Sequence, residues 1–178
     1  MARTEYEARG WGVGELWLAG RVVLAHDFDF LASGTTEGRV AHLGTKATFL
    51  DTRPDPAVTE SPSSVVADVI DRVHVFLEGM DVVLEDVPID LGWCTDFQRD
   101  VLSVLRQVPR GEIVTYGELA ALAGHPGAQR AVGTICAANR YAFFVPCHRV
   151  VAADGIGGYG SAGVAVKRRL LALEGVSL

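Results

Sequence analysis

Hydrophobic and polar positions along the 178-residue chain fall into two successive patterns. In the first half the apolar residues alternate or run together. Trp11–Leu18 and Arg21–His26 read as strands, and Ala19-Gly20 between them reads as a tight hairpin turn. Val40–Leu43 and Ala47–Leu50 are weaker strand candidates, and the prolines of residues 51–56 mark a loop. Ser61-Pro62 then opens a helix, serine as cap and proline at the first helical position. Val66, Ile70, Val73 and Leu77 carry its apolar face, and Gly79 ends it near Glu78. Val82–Leu84 and Val87–Ile89 read as a short extended connector.

The second half is helical and punctuated. Thr95–Gln98 is a capping box ahead of Phe97, Val101, Leu102 and Leu105 at helical spacing, and Pro109 to Gly111 stops that helix. Ile113-Val114 is a short extended piece. Thr115–Glu118 forms a second capping box, opening a helix through about Ala123. Gly124 to Gly127 is a tight turn, and a further helix runs from about Ala128 to Asn139. Two short helices joined in this way make a helix-turn-helix. Phe143–Val145 reads as a buried extended run, Ala153 to Gly163 as a glycine-rich loop, and Val164 to Glu174 as the last helix, ended by Gly175.

Composition narrows the class. With 49% apolar residues the chain has enough apolar surface to offset the entropy of ordering. No apolar run approaches the ~18–20 residues that cross a bilayer, and the polar start from Met1 to Arg9 has no signal-peptide core. Three widely spaced cysteines do not make a secreted disulfide scaffold. A protein of a reducing, cytoplasmic compartment is expected, associated with the nucleoid if the source is prokaryotic. The charge changes sign along the chain. Residues 1–90 hold 7 Lys and Arg against 16 Asp and Glu, whereas residues 91–178 hold 9 against 6. Two units are therefore expected, an acidic 1–90 and a basic 91–178, of which the second can approach a polyanion.

The chemistry concentrates in Val145 to Val150, which contains Pro146-Cys147-His148-Arg149. A thiolate is the reactive form of cysteine, and an adjacent imidazole or positive charge favours it. Alone, the pair also fits a buried structural cysteine. Placed after a helix-turn-helix and before the Gly-Gly-Tyr159 loop, however, this stretch closely resembles the O6-alkylguanine-DNA alkyltransferases, also called methylated-DNA–protein-cysteine methyltransferases. The resemblance runs from about Thr95 to Gly175. It includes Thr115–Ala120, Arg130–Gly133, Ala138-Asn139, the Cys147 segment and Leu171–Gly175.

The resemblance implies an α/β (α+β) protein: a small ribonuclease H-like unit of strands and a helix, then a winged helix-turn-helix. It implies stoichiometric transfer of an alkyl group from O6-alkylguanine to Cys147. His148 would take the thiol proton through a water, and Glu174 would polarise the imidazole. The implied partner is double-stranded DNA carrying O6-alkylguanine, with O4-alkylthymine as a second lesion, bound by a monomer without membrane or cofactor. The target base must leave the stack. Arg130 matches the arginine that fills the space it vacates, and Gly133 and Ala137 keep the recognition helix small where it meets DNA. Tyr116 matches the tyrosine beside the flipped nucleotide's phosphate. Asn139 matches the asparagine that ties the helix-turn-helix to the cysteine segment. Val150, Tyr159 and Ser161 would line the alkyl pocket, and Lys167 matches the family's lysine. Tyr159 sits one place earlier than usual, so this lining departs from the pattern.

Blander readings accompany these residues: a solvated helix-end carboxylate for Glu174, a surface arginine for Arg130, a half-buried ring for Tyr116 and a helix C-cap for Asn139. Cys136 lies with Val132 and Ile135 on the apolar side of its helix and reads as core. The histidines form no metal spacing with cysteines, and residues 1–93 contain no cysteine, so no metal is expected. The acidic unit lacks any reactive constellation and is expected to be structural. The rival readings are a non-catalytic binder of alkylated DNA and a transcription regulator. Cys147 argues against the first, and the few base-reading groups of Arg130, Gly133, Thr134 and Ala137 against the second.

Overall fold

The computed structural model describes residues 1–31, the backbone of 40–43, and 64–178. Four antiparallel strands open the chain in the order β1 (Ala2–Ala8), β2 (Gly12–Ala19), β3 (Val22–Leu31) and β4 (Val40–Leu43). Strand β1 falls in the stretch whose polarity the sequence reading took only as a start. Its buried residues are Tyr6 and Ala8, while Glu5 and Glu7 between and beside them are exposed, so a real alternation is hidden by small and charged residues. Tyr6 pairs with Gly14 in the register, and a Cβ on Gly14 would sit 2.3 Å from the tyrosine ring. The glycine is there because the ring lies flat across it.

Helix α1 (Ser64–Leu77) buries Val66, Val69, Val73, Phe76 and Leu77, and Gly79 in the left-handed region (φ 82°) closes it. The expected opening at Ser61-Pro62, the 51–56 loop and the strand at 47–50 lie outside the described residues. The connector touches the sheet only briefly: Val23 N–H donates to Pro88 O at 2.8 Å, and Asp90 N–H to Val23 O at 2.9 Å.

Both expected capping boxes form. In α2 (Asp96–Leu105) the Gln98 N–H donates to Thr95 Oγ1 at 3.3 Å, and Thr95 N–H donates to Gln98 Oε1 at 2.9 Å. In α3 (Tyr116–Leu122) Glu118 N–H donates to Thr115 Oγ1 at 3.1 Å, and Thr115 N–H to Glu118 Oε2 at 2.8 Å. Each box satisfies two otherwise orphaned donors. Helix α4 (Gln129–Ala137) completes the helix-turn-helix. Strands β5 (Val114–Thr115) and β6 (Val150–Val151) pair in parallel beside it, and α5 (Gly163–Leu173) closes the fold. The architecture is α+β.

One expectation fails in an informative way. Phe143–Val145 is buried, but it is a turn rather than an extended run. Val145 N–H donates to Tyr141 O at 2.9 Å, and Phe143 has φ 70°, unusual for a bulky residue. A short apolar run does not distinguish an extended segment from a tight one. Tertiary packing decides here. The Phe143 ring sits 5.2 Å from Phe28, 5.6 Å from His26, 6.0 Å from Phe30 and 5.4 Å from Phe76. These are residues of β3 and α1, so the sheet and the turn share one core.

At the centre of that contact His26 is fully buried. Its Nδ1 lies 2.9 Å from Ala142 O, and its Nε2 lies 2.6 Å from the Tyr6 hydroxyl. A carbonyl only accepts, so Nδ1 carries the proton and the tyrosine donates to Nε2. Burial lowers the imidazole to about 4, and its contact with the Ala142 carbonyl opposes that only in part. The unfolded chain therefore binds a proton near pH 6.5 that the folded chain refuses. This stability is complete above about pH 6.5 and is lost as pH falls towards 4, by on the order of 3 kcal/mol. Urea unfolding at pH 7 and pH 4.5 should show the loss, and His26→Gln should show a smaller one.

Candidate functional site

Cys147 begins a single 3-10 turn, Cys147–Arg149, immediately after Pro146 (φ −80°, ψ 64°). The proline fixes the entry to the turn, and Cys147 is buried. Asn139 holds it from the end of α4. The Asn139 amide donates to Val145 O at 2.9 Å and to Cys147 Sγ at 3.2 Å, and its Oδ1 accepts Tyr141 N–H at 3.0 Å. Both amide protons and the carbonyl are thus engaged across the turn. The C-cap position of α4 is Ala138, so Asn139 bridges rather than caps.

His148 and Glu174 have fully buried side chains, with Nε2 and Oε1 2.9 Å apart. Arg149 grips the same carboxylate: its Nε lies 3.0 Å from Oε2 and its Nη2 2.9 Å from Oε1. Its Nη1 donates to Val108 O at 2.5 Å. Burial pushes the Glu174 carboxyl up, but the bonds from His148 and Arg149 outweigh it and hold it at about 2. The solvated helix-end reading of Glu174 is excluded by this geometry. Burial lowers the His148 imidazole, against the pull of Glu174. A carboxylate on Nε2 fixes the proton there, leaving the lone pair on Nδ1. That Nδ1 is buried with no hydrogen-bond partner in the protein.

The neighbouring imidazole and cation favour the thiolate, and burial opposes them. Burial raises the Cys147 thiol, and Asn139, Tyr159 and Lys167 only partly offset it. At neutral pH the site therefore holds a neutral thiol, a neutral imidazole and a carboxylate already paired with arginine.

Tyr159 is buried with its hydroxyl close enough to steady charge on Cys147, although that hydroxyl makes no well-formed hydrogen bond. Val150 is buried in β6, whereas Ser161 is exposed. Lys167 is fully buried in α5 and donates to Val150 O at 2.5 Å, Ile156 O at 2.6 Å and Gly158 O at 3.1 Å. It ties the glycine-rich loop to β6 and places a cation near the thiol. The Tyr116 ring stands between two glycines: a Cβ on Gly133 would meet it at 3.9 Å, and one on Gly157 at 3.4 Å. Arg130, Thr134 and Ala137 are exposed along one face of α4, and Gly133 is half-buried among them. Val132 and Ile135 face the core, with Cys136 half-buried beside them.

The sequence reading missed Arg149 as the clamp on Glu174, and Lys167 as the clamp on the loop. For Arg149 a signal was present, since a carboxylate destined for burial needs a cation and Arg149 is adjacent to His148. Lys167 offered none, because its acceptors are backbone carbonyls. Among the described residues no cluster of three or more His, Cys, Asp or Glu is placed to hold a metal ion. No helix among them is long and apolar enough to cross a membrane.

Residues 96–176 match the family profile described as 6-O-methylguanine DNA methyltransferase, DNA binding domain. A methylated-DNA–protein-cysteine methyltransferase of Methanothermobacter thermautotrophicus is 41% identical over 118 residues, 66% of this chain and 66% of that protein. One of Methanopyrus kandleri is 46% identical over 101 residues, 56% of this chain and 73% of that protein. These sequence matches thus span about two thirds of the relatives' own length. The likeness in structure extends further. A Mycobacterium tuberculosis OGT solved in complex with DNA superposes with a TM-score of 0.74 at 28% identity, covering 98% of this chain and 93% of that one. The O6-methylguanine methyltransferase of the same organism gives 0.70 at 31% identity, covering 97% and 92%. With the cysteine turn, its histidine–glutamate pair and the helix-turn-helix all in place, the chain belongs to the O6-methylguanine-DNA methyltransferase family.

Proposed function

We propose that this protein repairs DNA by moving an alkyl group from guanine O6 directly onto Cys147, one group per molecule. The observation that carries the reading is the buried thiol held by Asn139 at 3.2 Å, with an imidazole in the next residue whose free Nδ1 is ready to take a proton. Attack by Sγ on the alkyl carbon forms the thioether C–S bond and breaks the C–O6 bond. The electron pair of that bond stays on the guanine, which takes one proton from water to become an ordinary base, and the proton collected by His148 is returned to solvent. The thiol proton passes through a water to His148 Nδ1. The imidazolium so formed lies against Glu174, whose charge Arg149 has kept in place.

The base reaches the thiol by leaving the duplex, at a cost of about a few kcal/mol. Arg130 takes its place in the stack, Tyr116 stands beside the rotated phosphate, and Gly133 and Ala137 allow close approach of α4. Val150, Tyr159 and Ser161 line the path of the alkyl group. O4-alkylthymine presents the same chemistry and is the second substrate of this reading. The protein acts as a monomer, in the compartment that holds the DNA. Residues 1–90 and 91–178 are its two units, the second carrying the chemistry. A non-catalytic lesion binder would share the helix-turn-helix but have no use for the thiol.

Intact-protein mass spectrometry after mixing with a duplex containing one O6-methylguanine should show a single added methylene on the Cys147 peptide, absent in Cys147→Ala. Lesion-selective binding without mass gain would support the binder instead. Glu174→Gln removes the charge that stabilises the imidazolium, and single-turnover transfer should slow by roughly 10²-fold with duplex affinity unchanged. The resting thiol titrates above the ordinary cysteine range, so in the free protein its alkylation by iodoacetamide should be slow at pH 7. The rate should rise with an inflection above about pH 8.5.

A further inference from the structure

The two groups that define the thiol's position, Asn139 and Pro146, bracket a turn that the N-terminal sheet holds from outside. Strand β3 meets this turn through three hydrogen bonds from one residue. His26 N–H donates to Arg140 O at 2.8 Å, His26 O accepts Ala142 N–H at 3.3 Å, and His26 Nδ1–H donates to Ala142 O at 2.9 Å. The ring also packs at 5.6 Å from Phe143 and 5.2 Å from Phe144. Tyr6 of β1 fixes the ring's tautomer and rotation through the 2.6 Å bond to Nε2, and stacks on it nearly parallel at 5.9 Å.

The turn needs such a hold. Phe143 occupies the left-handed region, which is strained for a bulky residue and persists only where neighbours over-determine it. If Ala142 were released, Phe143 could relax to an ordinary conformation. The segment would then change course between Asn139 and Val145, where the Asn139 side-chain amide donates to the Val145 carbonyl at 2.9 Å. The Asn139 contact to Cys147 Sγ depends on that closure.

We infer that His26, oriented by Tyr6, is a positioning residue for alkyl transfer: the N-terminal sheet sets the reach of the Cys147 thiol through the Ala142 carbonyl. The inference rests on the alkyl-transfer reading above and gives the acidic unit a part in the chemistry beyond support. His26 touches neither thiol nor base; it acts through the turn.

The test uses the full chain. His26→Leu should slow single-turnover methyl transfer from an O6-methylguanine duplex at least tenfold at 25 °C, with the duplex Kd within about twofold of wild type. His26→Gln, which keeps a side-chain donor for Ala142 O, should recover most of the rate. Val69→Ala, which removes buried volume from α1, serves as a destabilised control and should leave the rate unchanged. Should His26→Leu fail to fold, Tyr6→Phe carries the same test, since it removes only the hydroxyl that orients the ring. The inference is overturned if the folded variant transfers methyl as fast as wild type, or slows no more than Val69→Ala. Iodoacetamide alkylation of Cys147 separates the two readings. If wild type accepts no methyl, alkyl transfer fails as the function. An altered alkylation rate in the His26 variants relative to Val69→Ala would then still support positioning of the thiol, and an equal rate would overturn it.

Discussion

A buried carboxylate with two partners organises the cysteine turn of this fold. Glu174 is brought out of water at the end of α5, where the helix carbonyls oppose negative charge. It stays ionised because Arg149 and His148 both donate to it. An uncompensated charge at this depth would take up a proton instead. Arg149 thereby frees the histidine from supplying the neutralising charge. The imidazole can remain neutral at rest and become positive only when a proton arrives. The cysteine, histidine and arginine are consecutive in one 3-10 turn, so positioning any one of them positions the others.

The turn in turn depends on residues far from it in sequence. Asn139 closes it from within, Lys167 closes the following loop against β6, and the aromatic residues of β3 and α1 enclose Phe143. Phe76 touches both Phe143, at 5.4 Å, and His148, at 5.9 Å. The acidic sheet and the helix-turn-helix are thus parts of one packed interior. Helix α4 stays free of that interior on one side, where Arg130, Thr134 and Ala137 face solvent.

Much of this was legible in the sequence because it is local. The two capping boxes and the stops at Gly79 and Gly175 are encoded within a few residues and formed as read, whereas α2 ends at Leu105, ahead of the expected stop at Pro109 to Gly111. The helix-turn-helix followed from the same signals. What escaped notice was set by partners distant along the chain. Strand β1 hides its alternation behind Ala2, Thr4 and Ala8, which signal burial weakly. The 141–145 turn looks extended because its conformation is imposed by ring packing, which leaves no mark on its own sequence. The resting state of the thiol was not legible for a related reason. Neighbours in sequence suggested activation, while burial, a property of the whole fold, favours the protonated form. Arg149 and Lys167 were visible as residues, but their acceptors, a carboxylate 25 positions away and three main-chain carbonyls, were not.

The burial of Lys167 has a consequence for how the basic half of the chain meets a polyanion. Of the nine basic residues in 91–178, eight are arginines and the ninth is this enclosed lysine. Every exposed cation there is consequently a guanidinium, which keeps its charge far into alkaline solution. Attraction to phosphate would vary with ionic strength but not with alkaline pH. It would also be untouched by reagents or enzymes that acylate amines. In alkaline buffer at fixed salt, a change in reaction rate then reports the protonation of the chemical groups and not a loosening hold on the duplex.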